Sequence, residues 1–233
     1  MGISGFTMRP VEARLEKPKV STFLDANFEK IVDLKPDIVF AFSDLQAEIT
    51  KELVLRGIQV VAFNQRSVPE ILQMILVVGG IVGKQAEAQV IVERYERRLN
   101  DFRAKSDGKQ RPRVYFEEWG DPMISGIRWV SELIEIAGGE DIFSELRAHH
   151  DAKHRIVQSE QVVERNPDII IGSWCGRPFK KEQVMHRAGW EAIHAIRNNR
   201  LYEIKSSIIL QPGPAALTDG LDELARIIQE VME

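Results

Sequence analysis

Apolar residues fall at helical spacing from Asn27 to Leu34, where Phe28, Ile31, Val32 and Leu34 recur, and the pattern stops at Pro36. Proline disfavours the helical conformation in the residue before it, so a helix is predicted to end there. Ile38 to Phe42 is a continuous apolar run, the pattern of a strand buried on both faces. Leu45 to Arg56 reads as a further helix closed by Gly57, and IQVVAF at 58–63 as a second buried strand. The second half repeats this grammar. RVYFEE at 113–118 predicts a strand, Ile127 to Ile136 a helix closed by Gly138-Gly139, and Ser159 to Glu164 a short helix. Asp168 to Gly172 and Leu201 to Ile204 predict strands, and residues 217–232 a closing amphipathic helix.

One short phrase occurs twice. LKPDIVFAF at 34–42 and RNPDIIIGS at 165–173 each follow an amphipathic stretch and carry Pro-Asp before an apolar burst. A repeated helix, Pro-Asp turn and strand predicts two α/β lobes, each a parallel sheet with helices on both faces. Between them, residues 69–105 are helical in pattern throughout, enough for one helix of about 50 Å. The expected layout is an N-terminal lobe over 1–68, a long connecting helix over 69–105 and a C-terminal lobe over 106–233. Gly79-Gly80 inside the helix predicts a close packing contact or a bend.

Composition narrows the function classes. The chain has 233 residues, 44% hydrophobic and 28% charged, enough for a sizeable core. A net charge of −4 gives no general attraction to nucleic-acid phosphates or anionic lipid, so small molecules or proteins are the expected partners. The longest apolar run, 71–83, is interrupted by Gln73 and too short to span a bilayer. The first residues lack a basic stretch followed by an apolar one, so the sequence as given carries no export signal; either it is cytoplasmic or its true beginning is missing. No Walker A, GxGxxG or HExxH pattern occurs.

In open α/β sheets ligands bind beyond the carboxyl ends of the strands. That rule nominates Phe42, Ser43 and Asp44; Asn64, Gln65 and Arg66; Glu118, Trp119 and Gly120; Ser173, Trp174 and Cys175; and Lys205, Ser206 and Ser207. Trp119, Trp174 and Phe42 either line an apolar pocket, each offering a flat face to a planar ring system, or cap the core. HHDAKH at 149–154 places His149, His150 and His154 close together, but Asp151 and Lys153 interrupt them and a solvated loop is expected rather than a metal site. Cys175 has no histidine and acid at recognisable spacing, so no catalytic role is assigned to it. The acids in EEWGD at 117–121 and GGED at 138–141 are expected on turns and solvated faces.

DLKPDIVFAFSDLQAE at 33–48, RGIQVVAFNQRSVPEIL at 56–72, WGDPMISG at 119–126, IAGGEDIF at 136–143 and VQSEQVVERNPDIII at 157–171 together resemble the substrate-binding proteins of ABC importers for cobalamin, haem and iron-siderophores. The resemblance covers nearly the whole chain. It implies a non-enzymatic, extracytoplasmic protein of two Rossmann-like lobes joined by one long helix, with no intrinsic cofactor. Cobalamin, haem or a ferric siderophore would be the transported ligand and a permease the protein partner. The implied ligand residues are Phe42, Asn64, Trp119, Met123, His154, Trp174 and Ser207; Ala62 and His154 stand where cobalamin binders have tryptophans. Glu48 and Glu160 match the pair of glutamates that dock into permease arginines. Family members begin with a strand and helix before the point matched by GISGF at 2–6, so the first lobe as given lacks one β-α unit; either the start has been placed too far downstream, or a truncated relative compensates, for example by self-association through an exposed strand edge. The alternative is a cytosolic corrinoid- or chelate-handling protein, or an enzyme, on the same architecture.

Overall fold

The computed structural model describes residues 1–232. The chain divides into two compact units, Met1–Gln65 and Arg66–Glu233.

The first unit contains β1 (Ile3–Ser4), α1 (Val11–Glu16), β2 (Lys19–Ser21), α2 (Phe28–Asp33), β3 (Val39–Phe42), α3 (Ala47–Leu55) and β4 (Val60–Phe63). Asn27 starts α2 by accepting a hydrogen bond from the Lys30 N–H at 2.8 Å. The helix is closed at Lys35, whose φ of 46° turns the chain out just before Pro36. β3 and β4 pair in parallel, Val39 opposite Val60 through Phe42 opposite Phe63. β1 and β2 form a separate parallel pair. The expectation that β3 is buried on both faces fails: only Ala41 is buried, and Phe40 remains 40% exposed. A two-stranded pair offers too little area to hold helices over both faces, so one side stays open.

In the second unit the expected single helix is two. α4 (Val68–Ile81) and α5 (Gln85–Ser106) are separated by a turn at Gly83, which adopts φ 69°. Apolar periodicity ran through the break because both helices pack on the same core, whereas the turn depends on one glycine in the left-handed region. Gly79 is the close contact, since a Cβ there would lie 2.3 Å from that of Ala88; a Cβ on Gly80 would meet open space. α4 is set by a capping box, with Ser67 accepting from the Glu70 N–H at 3.3 Å and Glu70 accepting from the Ser67 N–H at 3.0 Å.

The sheet of this unit carries β5 (Arg113–Gly120), β6 (Met123–Ser125), β7 (Glu140–Asp141), β8 (Ile169–Gly172) and β9 (Leu201–Glu203). β5, β8 and β9 are parallel neighbours; β7 runs parallel to the start of β5 and β6 antiparallel to its end. The helices are α6 (Arg128–Ile136), α7 (Ser159–Arg165), α8 (Lys181–Met185), α9 (His194–Arg197), α10 (Ser206–Ile209) and α11 (Leu221–Met232), the last entered through a π-type turn at Ala216–Gly220. Side chains alternate across the sheet. Val114, Phe116, Ile169 and Ile171 join Leu133, Ile134, Leu224 and Ile227 in one core, while Tyr115, Ile170 and Leu201 join Phe143, Val162, Trp190 and Ile193 in the other. Both faces are therefore covered, as parallel strands require. α7 ends at Asn166 with φ 41°, directly before Pro167, so the repeated phrase closes its helix in the same way in both units. No helix among the described residues is long and apolar enough to cross a membrane.

Candidate functional site

β5 continues to Gly120, past the expected end at Glu118, and its last residues are irregular. Glu117 lies opposite Ser125 and Trp119 opposite Ile124, so Glu118 is an extra residue in the pair, a β-bulge that re-aims the side chains around it. Glu117 is fully buried, contrary to the expectation of a solvated face. Its carboxylate accepts from the Tyr115 hydroxyl at 3.1 Å, from the Trp174 indole N–H at 3.0 Å and from both terminal nitrogens of Arg187. Glu118 accepts from Arg155 at 2.7 and 3.3 Å, and Arg155 is itself buried. The buried Glu117 and the partly buried Glu118 are tolerated because each faces a guanidinium fork. In the GGED segment Asp141 is likewise buried rather than solvated, accepting from the Phe143 N–H at 3.1 Å; burial raises its pKa.

These ion pairs position the two tryptophans. The Trp174 indole is tethered to Glu117, packs edge-on to Phe179 and lies so close to Gly120 that a Cβ there would stand 2.6 Å from the ring. Trp119 donates from its indole nitrogen to the Asp121 carbonyl at 2.8 Å, and the Arg177 guanidinium sits 5.0 Å above its ring centre. Met123 follows on β6 and its sulfur accepts from Arg187 at 3.3 Å. Trp119, Met123 and Trp174 are thus brought together, half-buried, at the carboxyl ends of β5 and β8. Ser207 lies in α10, just after β9.

His154 is exposed in a short turn, its Nδ1 2.6 Å from Asp151 and its ring 5.5 Å from that of His149. Among the described residues no group of three or more histidine, cysteine or acidic side chains is placed to hold a metal ion. Partial burial, and then the nearby Glu118 charge, push the Cys175 thiol above its ordinary pKa, the opposite of what activates a cysteine nucleophile. A groove of about 380 Å³ lies elsewhere in this unit, lined by Val68, Pro69, Arg103, Arg111, Glu132, Glu135 and Ile136, with none of the expected ligand residues.

In the first unit Phe42 ends β3 half-buried, its N–H donating to Gln46 at 2.9 Å and its ring meeting that of Phe23 edge-on. Asn64 is exposed just after β4. Glu48 sits in the first turn of α3, 83% exposed and 3.1 Å from Lys51, and Glu160 is exposed in the first turn of α7.

Residues 1–208 match the family model for periplasmic binding proteins. The chain belongs to that family. This periplasmic binding protein is 27% identical over 215 residues to the ABC transporter substrate-binding lipoprotein YvrC of Bacillus subtilis, a match covering 88% of this chain and 66% of the relative. It is 25% identical over 220 residues to a vitamin B12-binding protein of Vibrio parahaemolyticus, covering 93% of this chain and 77% of that one. The fold resembles the crystal structure of a possible iron-binding, periplasmic solute-binding protein from Staphylococcus epidermidis, with TM-score 0.82, 20% identity, and coverage of 98% of this chain and 89% of the other. That identity speaks to fold alone.

Sequence reasoning missed Arg155, Arg177 and Arg187, and misread Glu117. The available signal was a pair of acids inside an otherwise apolar strand pattern, which demands buried cationic partners somewhere in the chain.

Proposed function

We propose that this periplasmic binding protein captures a corrinoid or ferric chelate outside the cytoplasm and delivers it to the permease of an ABC importer. The observation that carries the reading is the grouping of Trp119, Met123 and Trp174 at the carboxyl ends of β5 and β8, the edge where α/β sheets hold ligands. Phe42, Asn64, His154 and Ser207 are each proposed, individually, as further ligand-contacting residues. A tryptophan whose indole N–H is already satisfied by Glu117 presents its ring face without leaving a buried donor unpaired. Glu48 and Glu160, exposed on α3 and α7, are the proposed contacts for permease arginines. Self-association is proposed for the first unit, supported by exposed Phe6, Leu24 and Phe40, and light scattering reads it directly.

Calorimetric and absorbance titration with cyanocobalamin, hemin and a ferric siderophore tests the main reading. Saturable binding of at least one, without turnover, is expected; no heat or spectral change with any of the three overturns it.

A further inference from the structure

The groove of about 380 Å³ between α4, α5 and α6 shares no residue with the proposed chelate site. Arg111 lines it from two residues before β5, at the amino end of the parallel strands, and Arg103 from the last turn of α5. The chain beside Arg111 is fixed, because Pro112 is buried and its carbonyl accepts from the Glu140 N–H at 2.9 Å. Arg103 is steadied by Asn100, which accepts from Nη1 at 2.9 Å. The charges of the groove are unevenly matched. Glu132 accepts from Arg128 at 2.8 Å and from the Val68 N–H at 2.7 Å, and Glu135 accepts from Arg147 at 2.8 Å. Both carboxylates therefore have their partners within the protein. Among the described residues neither Arg103 nor Arg111 has a carboxylate partner, so two guanidiniums in the lining stay uncompensated. The start of α4 adds nothing to this preference, since the Val68 N–H is taken by Glu132 and Pro69 has no N–H.

We infer that this groove is a second binding site and that it takes a small organic anion, its phosphate or carboxylate held by Arg103 and Arg111 and its apolar body resting against Val68, Pro69 and Ile136. The inference goes beyond the proposed function and does not depend on it. An oxyanion gives these two guanidiniums the partner that Glu132 and Glu135 give to Arg128 and Arg147. The neighbouring glutamates do not repel it strongly, because each is already neutralised by its own arginine. The volume falls within the range of small-molecule sites, roughly 300–1,000 Å³. Phosphate monoesters and carboxylates with an aromatic or aliphatic body share the required chemistry.

The test is a calorimetric titration of the full chain with 1-naphthyl phosphate, 1-naphthoate, inorganic phosphate and 2-naphthol, at low and high salt. Saturable binding of at least one naphthyl anion is expected, with Kd of about 1 mM or tighter, and which of the two binds better separates the phosphate from the carboxylate source. Arg103→Gln and Arg111→Gln, both on exposed side chains, should leave the fold intact and each weaken that probe by about 5-fold or more, with a smaller salt dependence. Trp174→Ala should leave it unchanged. Absence of binding by both naphthyl anions overturns the inference, as does a nil effect of both arginine variants. Inorganic phosphate or 2-naphthol binding as tightly as the naphthyl anions also overturns it, the first by removing the apolar contact and the second by removing the arginines. Loss in Trp174→Ala but not in the arginine variants moves the binding to the chelate edge and overturns it too. None of these results bears on the titrations with cyanocobalamin, hemin and ferric siderophore, so the two readings fail separately.

Discussion

Arg187 meets Glu117 from seventy residues away with both terminal nitrogens, Nη2 standing 3.0 Å from Oε1, and Glu117 is fully buried where the first strand of the second unit ends. The pair holds the underside of the proposed site, because the same carboxylate tethers Trp174 and the same guanidinium contacts Met123. Removing one partner leaves a buried charge uncompensated. Arg187→Ala should therefore destabilise the protein by about 3–5 kcal/mol in chemical denaturation. Arg187→Ala combined with Glu117→Gln should recover part of that loss. Equal destabilisation in the single and double variants would show that lost packing, not the unpaired charge, dominates.

The α4–α5 turn makes opposite predictions for adjacent glycines. A side chain at Gly79 collides with Ala88, so Gly79→Val should cost about 1–3 kcal/mol through overpacking. Gly80 faces open space within α4, so Gly80→Ala should stabilise by about 0.5–1 kcal/mol through helix propensity. Thermal unfolding of the two variants checks both signs.

The capping box at the start of α4 predicts a pH dependence. The Arg66 backbone N–H, helped by the backbone N–H and hydroxyl of Ser67, holds the Glu70 carboxyl below its ordinary value of 4.5 despite some desolvation. A carboxylate whose folded pKa is depressed stabilises the protein above its unfolded value, and that contribution is lost as pH falls through the folded value. The difference in stability between wild type and Glu70→Gln should be constant near neutrality and shrink below about pH 4.5. Ser67→Ala should cost about 1 kcal/mol at pH 7. A wild-type to Glu70→Gln difference that grows on acidification would contradict the assignment.

Glu48 and Glu160 should be separable from both fold and ligand. Each is exposed, and the Lys51 contact of Glu48 is a surface pair of small worth. The double change to alanine should leave stability within about 0.5 kcal/mol and ligand affinity unchanged. Binding to the cognate permease should fall and become less salt-sensitive, because the lost contacts are interfacial charge pairs. Normal docking by the double variant, or loss of ligand instead, would remove these residues from the docking role.

By itself the sequence determined the order of elements and their burial where the pattern is local. The twice-written Pro-Asp phrase specified a helix ended before proline and a strand after it, and Lys35 and Asn166 take the same left-handed turn at that place. Ile169 to Ile171, apolar at every position, had to lie between two covered faces. The family was also legible, because its motifs are spread along the chain. Tertiary structure decided the rest, for identifiable reasons. The break between α4 and α5 depends on Gly83 adopting a positive φ, which a period of apolar residues does not encode. Phe40 is left half open because β3 has only β4 beside it, a matter of sheet width rather than of the strand's own composition. Glu117 and Asp141 read as solvated acids, since a carboxylate is buried only when distant residues compensate it. Arg187 reaches Glu117 through the topology of β5, β8 and α8, and Arg177 reaches Trp119 through a turn built on Gly176, so the electrostatics of this edge exist only once the chain has folded.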